Sequence, residues 1–513
     1  MLCLLLILIT RGYACDYKYE NVTTEPANRQ LLDFKRCHPK PIGILTTSAG
    51  RAVDARDLTT INSDLINNKY LMDVMMHFNR EKIPERIVHA KGAVAFGYFQ
   101  VTHDVSRYTK ADVFNGIGKK TPLFARLSPT QEERAGSDLN REQKGIAAKF
   151  YTKEGNLDLL CLSSPVYIYK DPILFSEFIH AFRRNPKTNL VDETMKWDFI
   201  TMKPSGLHSF LYSLSDYGIP NGYRTMDNFA IHCYEVYNEQ GDRFFVKFNL
   251  RTEQGLENLT SAEAMMIAGR DRDYFNRDLY NNIAQKNYPS WKLEMDIMSI
   301  SDLRNIDYNP FDVTRLWKKG TYLTVQIGRL VLNRNADNFF KVSELSAFKP
   351  DNLVPGISAP ADAIFKSRTL FYRDAINYRL GVNHNNIEIN KPKQGMTYNR
   401  DAVPPVGDNM GDAPNYFTNS FNGPVPIVDE NRPTDRIVIL DSNAVDLEHC
   451  NHFYNYILSD DAQRQRLIEN IATSLRTVTS PVKERVYRLL ALVDTNLGKR
   501  VIETTTGQNK VEL

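Results

Sequence analysis

Two short stretches carry residues able to do chemistry. In residues 79–104, NREKIPERIVHAKGAVAFGYFQVTHD, His89 follows Arg86, Ile87 and Val88 and precedes Ala90, Gly92, Ala93 and Ala95. An imidazole can move a proton near neutral pH. The small residues after it leave room for a flat, large group against the backbone. Taken alone, such a histidine is as readily a satisfied core residue. In residues 367–381, SRTLFYRDAINYRLG, Arg368 and Tyr372 are four apart and share one face of a helix. A guanidinium beside a phenol favours the phenolate, a hard anionic ligand suited to ferric iron. Helical spacing alone is equally met by a surface arginine and a core tyrosine.

Those residues need elements to position them. Residues 93–101 are apolar and aromatic, as in a buried strand. Further β-branched and aromatic runs are AKFYT at 148–152, VYIYK at 166–170, FFVKFNL at 244–250 and LTVQIGRLVL at 323–332. Helical stretches such as residues 261–268 lie between them. The pattern predicts a mostly antiparallel sheet with helical insertions, consistent with a barrel. Residues 63–78 predict a weakly amphipathic helix. Residues 15 to about 60 are polar and turn-rich and predict an extended arm. Residues 335–436 are dense in Pro, Asn, Asp and Gly with interleaved aromatics, which predicts a wrapping segment rather than disorder. Two helices should follow, one opened by Ser459-Asp460-Asp461 as a cap and one over residues 482–497.

With 513 residues and 42% hydrophobic content, the chain can bury a sizeable core and is not a disordered one. A net charge of +3, from 64 basic and 61 acidic residues, gives no case for a nucleic-acid partner or a membrane surface. The first 14 residues, MLCLLLILITRGYA, read as a secretory signal peptide, although they lack a basic start. The other reading is a buried terminal element. No other apolar run approaches the roughly 18 residues of a spanning helix. Cys15 and Cys37 could pair in an oxidising lumen, and Cys161, Cys233 and Cys450 read as core thiols. Asn21 and Asn258 fit the glycosylation pattern. The last four residues, Lys510-Val511-Glu512-Leu513, are one substitution from a retention tail, so the chain is expected outside the cell or in the endoplasmic reticulum lumen.

RIVHAKGAVAFGYF and RTLFYRDAINYRLG resemble the two haem-facing segments of the haem catalases. The similarity runs from about residue 40 to about residue 505 and includes GKKTPLFARLS, GIAAKFYTKEGNLDLL, KDPILFSEFIHAFRRNP, NYPSWKLEMDIM, NPFDVTRLW, GRLVLNRN and GDAPNYFTNSF. It implies an α+β fold: an antiparallel β-barrel core with an N-terminal arm, a long wrapping segment and a C-terminal helical lobe. The corresponding parts are the arm and distal helix at 15–89, the barrel at 90–334, the wrapping segment with the proximal helix at 335–436, and the lobe at 437–513. Haem b is the implied cofactor and a homotetramer the implied assembly. By motif, His89 is the distal acid–base and Ser128 orients it. Val88 packs on the porphyrin, and Arg86, Arg126 and Arg379 hold the propionates. Tyr372 is the iron ligand, as known for this family and not deduced from spacing. Arg368 bonds it, with His232 and Asp362 behind. Asp374 follows in the same order, and Phe175 and Phe178 belong to the pocket and its channel.

The chain also departs from the family pattern. Leu162 stands where the distal asparagine is expected, so one amide donor is missing. Ser163, one position on, would face the other way along a strand. Tyr167 replaces a phenylalanine, Ile376 a histidine and Glu142 an aspartate. Of the residues implied for NADP(H), His208 and Ser215 match, while Tyr217, Arg251 and Lys319 differ, which leaves that cofactor open. The resemblance implies a hydroperoxidase acting on hydrogen peroxide, slowed by Leu162. The alternatives are a haem enzyme for organic hydroperoxides and a catalase-fold haem carrier without activity.

Overall fold

The computed structural model describes residues 25–130, 133–404, 407–435, 437–440, 442 and 444–507. The signal peptide, Cys15, the Asn21 acceptor and the Lys510–Leu513 tail lie outside these residues. The chain divides into two compact units, residues 1–84 and 85–513.

Among its described residues the first unit holds two α-helices and a short 3-10 helix, Ala55–Leu58. Pro26–Cys37 lies within the stretch expected to be an extended arm: proline opens it and Lys35 and Arg36 sit at its negative end. Lys69–Phe78 is shorter than the predicted 63–78, because the Asn68 side chain accepts from the Leu71 amide and starts the helix there.

The second unit is built on a closed barrel. Its strands are β1 (Ala93–Val101), β2 (Lys120–Pro129), β3 (Lys144–Thr152), β4 (Gly155–Leu162), β5 (Asn228–Phe229), β6 (Tyr234–Tyr237), β7 (Arg243–Thr252), β8 (Ser290–Ser299), β9 (Leu323–Asn335) and β10 (Ile357–Ser358). Antiparallel pairing runs β1–β2–β3–β4–β5–β7–β8–β9 and returns from β9 to β1, closing eight strands with no free edge. β6 and β10 extend from β7. Phe99, Phe150, Leu157, Leu159, Phe248 and Trp291 fill the interior.

Successive side chains on a strand point to opposite faces. On β4, Leu159 therefore joins the barrel interior, while Leu160 joins an outer cluster with Phe124, Phe348 and Tyr372. Both faces are buried, which is why these strands read as nearly continuous apolar runs. The segment after residue 335 covers that outer face. Asp158, paired with Lys149 at 2.7 Å and fully buried, also accepts from the Lys349 amide and the Asn352 side chain. Removing one partner of such a pair costs about 3–5 kcal/mol. Tyr151 Oη and Asn156 Nδ2 donate to the Ile389 and Asn390 carbonyls. These ties hold the helix Ala363–Leu380, which is free of internal Gly and Pro and stops at Gly381 with φ 83°.

Two expectations are corrected. Residues 166–170 form no strand, since Pro165 and Pro172 bracket them and the Tyr167 amide donates to the Val313 carbonyl. The stretch 482–497 is broken: Ser480–Val493 ends at Asp494, whose carboxylate caps a third helix, Thr495–Thr506. Asp460 caps Asp461–Leu475 as expected. Leu467, Ile471, Val486 and Leu490 of this lobe pack on Trp197 and Ile200.

Candidate active site

A cavity of 1170 Å³ lies against the outer barrel face and is lined by both sequence stretches. On one side stands His89. Its Nδ1 is 2.9 Å from Ser128 Oγ on β2, and its amide donates to the Thr130 carbonyl at 3.0 Å. Its φ of 60° lies in the left-handed region, which residues other than glycine use sparingly, Asn, Asp and His more than the rest. Burial, then the charges of Arg126, Arg368 and Arg86, lower its pKa to about 3, so the imidazole is neutral.

Leu162 is beside it. A Cβ on Gly145, its partner across β3 and β4, would lie 3.4 Å from both His89 Cε1 and Leu162 Cδ2 and 2.7 Å from the Cys161 carbonyl. The Cys161 carbonyl is what excludes a side chain at this position, and the space left is bordered by the histidine and the leucine. Leucine offers no donor where the imidazole points. Ser163 does not substitute: its hydroxyl accepts from the Lys144 amide at 3.0 Å, and it does not line the cavity.

The opposite side is a chain of hydrogen bonds. Arg368 Nη2 donates to Tyr372 Oη at 3.1 Å, and Nη1 donates to His232 Nε2 at 2.7 Å. With Nε2 accepting, His232 Nδ1 donates to Asp362, at 3.0 and 3.1 Å from its two oxygens. Asp362 also caps the helix by accepting from the Phe365 amide. Burial opposes the Arg368 charge, but the phenols of Tyr372 and Tyr167 outweigh it and raise its pKa. Arg368 and Tyr372 line the cavity, whereas His232 and Asp362 stand behind them. Asp374 is on the same helix but exposed.

Three guanidiniums, Arg86, Arg126 and Arg379, line one end. Arg86 Nη2 donates to the Ser343 and Ser346 carbonyls, while buried Nη1 has no hydrogen-bond acceptor and lies 4.0 Å from Glu344. Arg126 donates to the Ala90 carbonyl at 3.0 Å, and Arg379 lies 3.6 Å from Glu344. Burial lowers the pKa of all three, and neighbouring arginines lower it further. Arginine does not lose its proton, so the shifts mark positive charge beyond what buried Glu344 offsets. A flat group with two carboxylates meets that demand, and an arginine-supported phenol meets ferric iron. The residues therefore fit haem. Gly92 does not leave the expected room, for a Cβ there would lie 2.9 Å from Arg126 Cζ.

Val88, Tyr167, Phe175, Phe178, Ile376 and Glu142 also line the cavity. Thr130 Oγ1 donates to Glu142 at 3.1 Å. Three of the residues weighed for NADP(H) are engaged within the protein, while Lys319 is exposed. Arg251 pairs with Asp227 at 3.0 Å and Glu294 at 3.5 Å, the Ser215 hydroxyl donates to the Tyr212 carbonyl, and His208 stacks on His449. Sequence reasoning missed Glu344, Gly145 and Tyr169. Only Tyr169 carried a signal, as a second phenol two residues from Tyr167.

Two family models match the chain. Residues 46–423 match the catalase model, and residues 446–505 match a catalase-related immune-responsive model. The catalase of Cavia porcellus is 39% identical over 501 residues, covering 95% of this chain and 94% of its own. That of Methanosarcina barkeri is 40% identical over 470 residues, covering 89% and 93%. Among solved structures, a fungal catalase superposes with a TM-score of 0.86 at 32% identity over 91% of this chain and 97% of its own. Catalase A from Saccharomyces cerevisiae gives 0.85 at 33% identity, over 91% and 99%. The chain belongs to the haem catalase family.

Proposed function

We propose that the protein is a haem-dependent hydroperoxidase of catalase type, converting two hydrogen peroxide molecules to water and oxygen. The observation that carries this is one cavity with a neutral, oriented imidazole on one side and an arginine-supported phenol on the other. Haem, when bound, supplies the two-electron redox chemistry. Tyr372 would hold its iron, and Arg86, Arg126 and Arg379 its two carboxylates.

His89 works on the substrate. Ser128 holds Nδ1, which leaves Nε2 to take a proton from one peroxide oxygen and return it to the other. Arg368 donates a hydrogen bond to the Tyr372 oxygen, and the His232–Asp362 pair fixes the arginine. Leu162 donates nothing to the peroxide. A missing preorganised donor typically lowers turnover by on the order of a hundredfold.

The test is purified protein loaded with haem. A high-spin ferric, tyrosinate-ligated spectrum and oxygen release above free haemin, yet well below an ordinary catalase, are the expected results. Oxygen release equal to haemin would leave the haem-carrier reading standing. We further propose entry to the secretory pathway, on residues 1–14, and a homotetrameric assembly. Glycosidase treatment and light scattering of secreted material test these.

A further inference from the structure

The cavity wall carries one more polar feature. Tyr167 and Tyr169 both line it, with hydroxyls 3.2 Å apart and rings packed edge to face at 4.8 Å. Around them the wall is apolar: Tyr169 lies 6.4 Å from Phe175 and 6.0 Å from Phe178, and Leu162 belongs to the same cluster. Two phenols bring two O–H hydrogens, and the mutual bond uses one. Among the described residues, neither hydroxyl has another hydrogen-bond partner. One O–H hydrogen is therefore left to donate into the cavity, to water or to a ligand that displaces it. Burial raises both phenol pKa values, so both groups stay neutral donors.

We propose that the Tyr167–Tyr169 pair is a substrate-binding device whose unspent O–H donates to the oxygen of an alkyl hydroperoxide, with the alkyl part lying along Leu162, Phe175 and Phe178. The inference rests on the hydroperoxidase reading. The balanced reaction is ROOH + H2O2 → ROH + H2O + O2. The O–O bond of the alkyl hydroperoxide breaks and it is reduced. Hydrogen peroxide is oxidised, and its two electrons and two protons complete the alcohol and the water.

The experiment uses haem-loaded wild-type protein, Tyr167→Phe, Tyr169→Phe and the double variant. Cumyl alcohol serves as a non-reacting ligand, followed by Soret difference titration. Each single variant keeps one unspent O–H, so affinity stays within about twofold of wild type. The double variant loses both and binds about tenfold more weakly, with the KM for cumene hydroperoxide rising in parallel. Unchanged affinity in the double variant overturns the proposal, as does full loss in either single variant. Should the double variant fail to fold, ultraviolet resonance Raman of the wild type decides: tyrosine bands shift on adding cumyl alcohol, and unshifted bands overturn the assignment. Wild-type protein that takes up no haem sinks the hydroperoxidase reading instead.

Discussion

The two sides of the cavity differ in how completely their polar groups are met. Behind Tyr372, each step from Arg368 through His232 to Asp362 is a hydrogen bond of 3.1 Å or less, and the last carboxylate also caps the helix that carries the tyrosine. Facing it, His89 has Ser128 behind it, but its neighbour toward the substrate is Leu162. The proximal side is built to grip a cofactor. The distal side has an apolar side chain beside the imidazole. On the reading proposed above, holding the haem and turning it over are therefore separable properties, and substitutions on the two sides should affect them differently.

Tyr372→Phe should break that comparison most severely. It removes the phenol that, among the described residues, alone accepts from Arg368, so haem retention and oxygen release both fall to the level of free haemin, read as Soret absorbance per protein and by an oxygen electrode. A variant with a wild-type spectrum would mean that another group holds the iron. Leu162→Asn works in the opposite direction. Restoring a donor beside His89 should raise turnover of hydrogen peroxide by on the order of a hundredfold with the Soret band unchanged. No gain would place the defect elsewhere than Leu162. Asp362→Asn loosens His232 one step from the cavity and should lower turnover about tenfold, the scale of supporting residues around a metal.

The remaining effect is on stability in acid. His89 and His208 are both neutral and buried, with pKa values of about 3 against 6.5 when unfolded. The unfolded chain therefore takes up protons that the folded chain refuses. Stability is full above pH 6.5 and is lost as pH falls toward about 3, by on the order of 10 kcal/mol at most for the two groups together. A thermal midpoint unchanged between pH 7 and pH 4 would contradict this.

Much of the architecture is legible in the chain because buried strands and catalytic segments are written in local runs. Residues 93–101, 148–152, 244–250 and 323–332 all fall inside strands. Residues 166–170 show the limit: two tyrosines, a valine and an isoleucine look like a strand, but the bracketing prolines and a bond to Val313 decide otherwise. His89, Ser128, Tyr372 and the three cavity arginines were recognisable from motifs. Glu344 was not, since a lone glutamate gains meaning only when the fold sets it between Arg86 and Arg379. Gly145 was equally silent, because its role depends on a strand pairing that brings β4 beside the His89 loop.

The left-handed backbone of His89 has a consequence for how the sequence can drift. Holding a histidine in that conformation costs about 1–3 kcal/mol, which glycine would not pay. Random substitution at this position is thus pulled toward greater stability and away from the imidazole. A lineage that needed only the fold and the haem would be free to take that route. His89→Gly would thus relieve the backbone while removing the imidazole, so this position allows fold stability and proton transfer to be separated by one substitution.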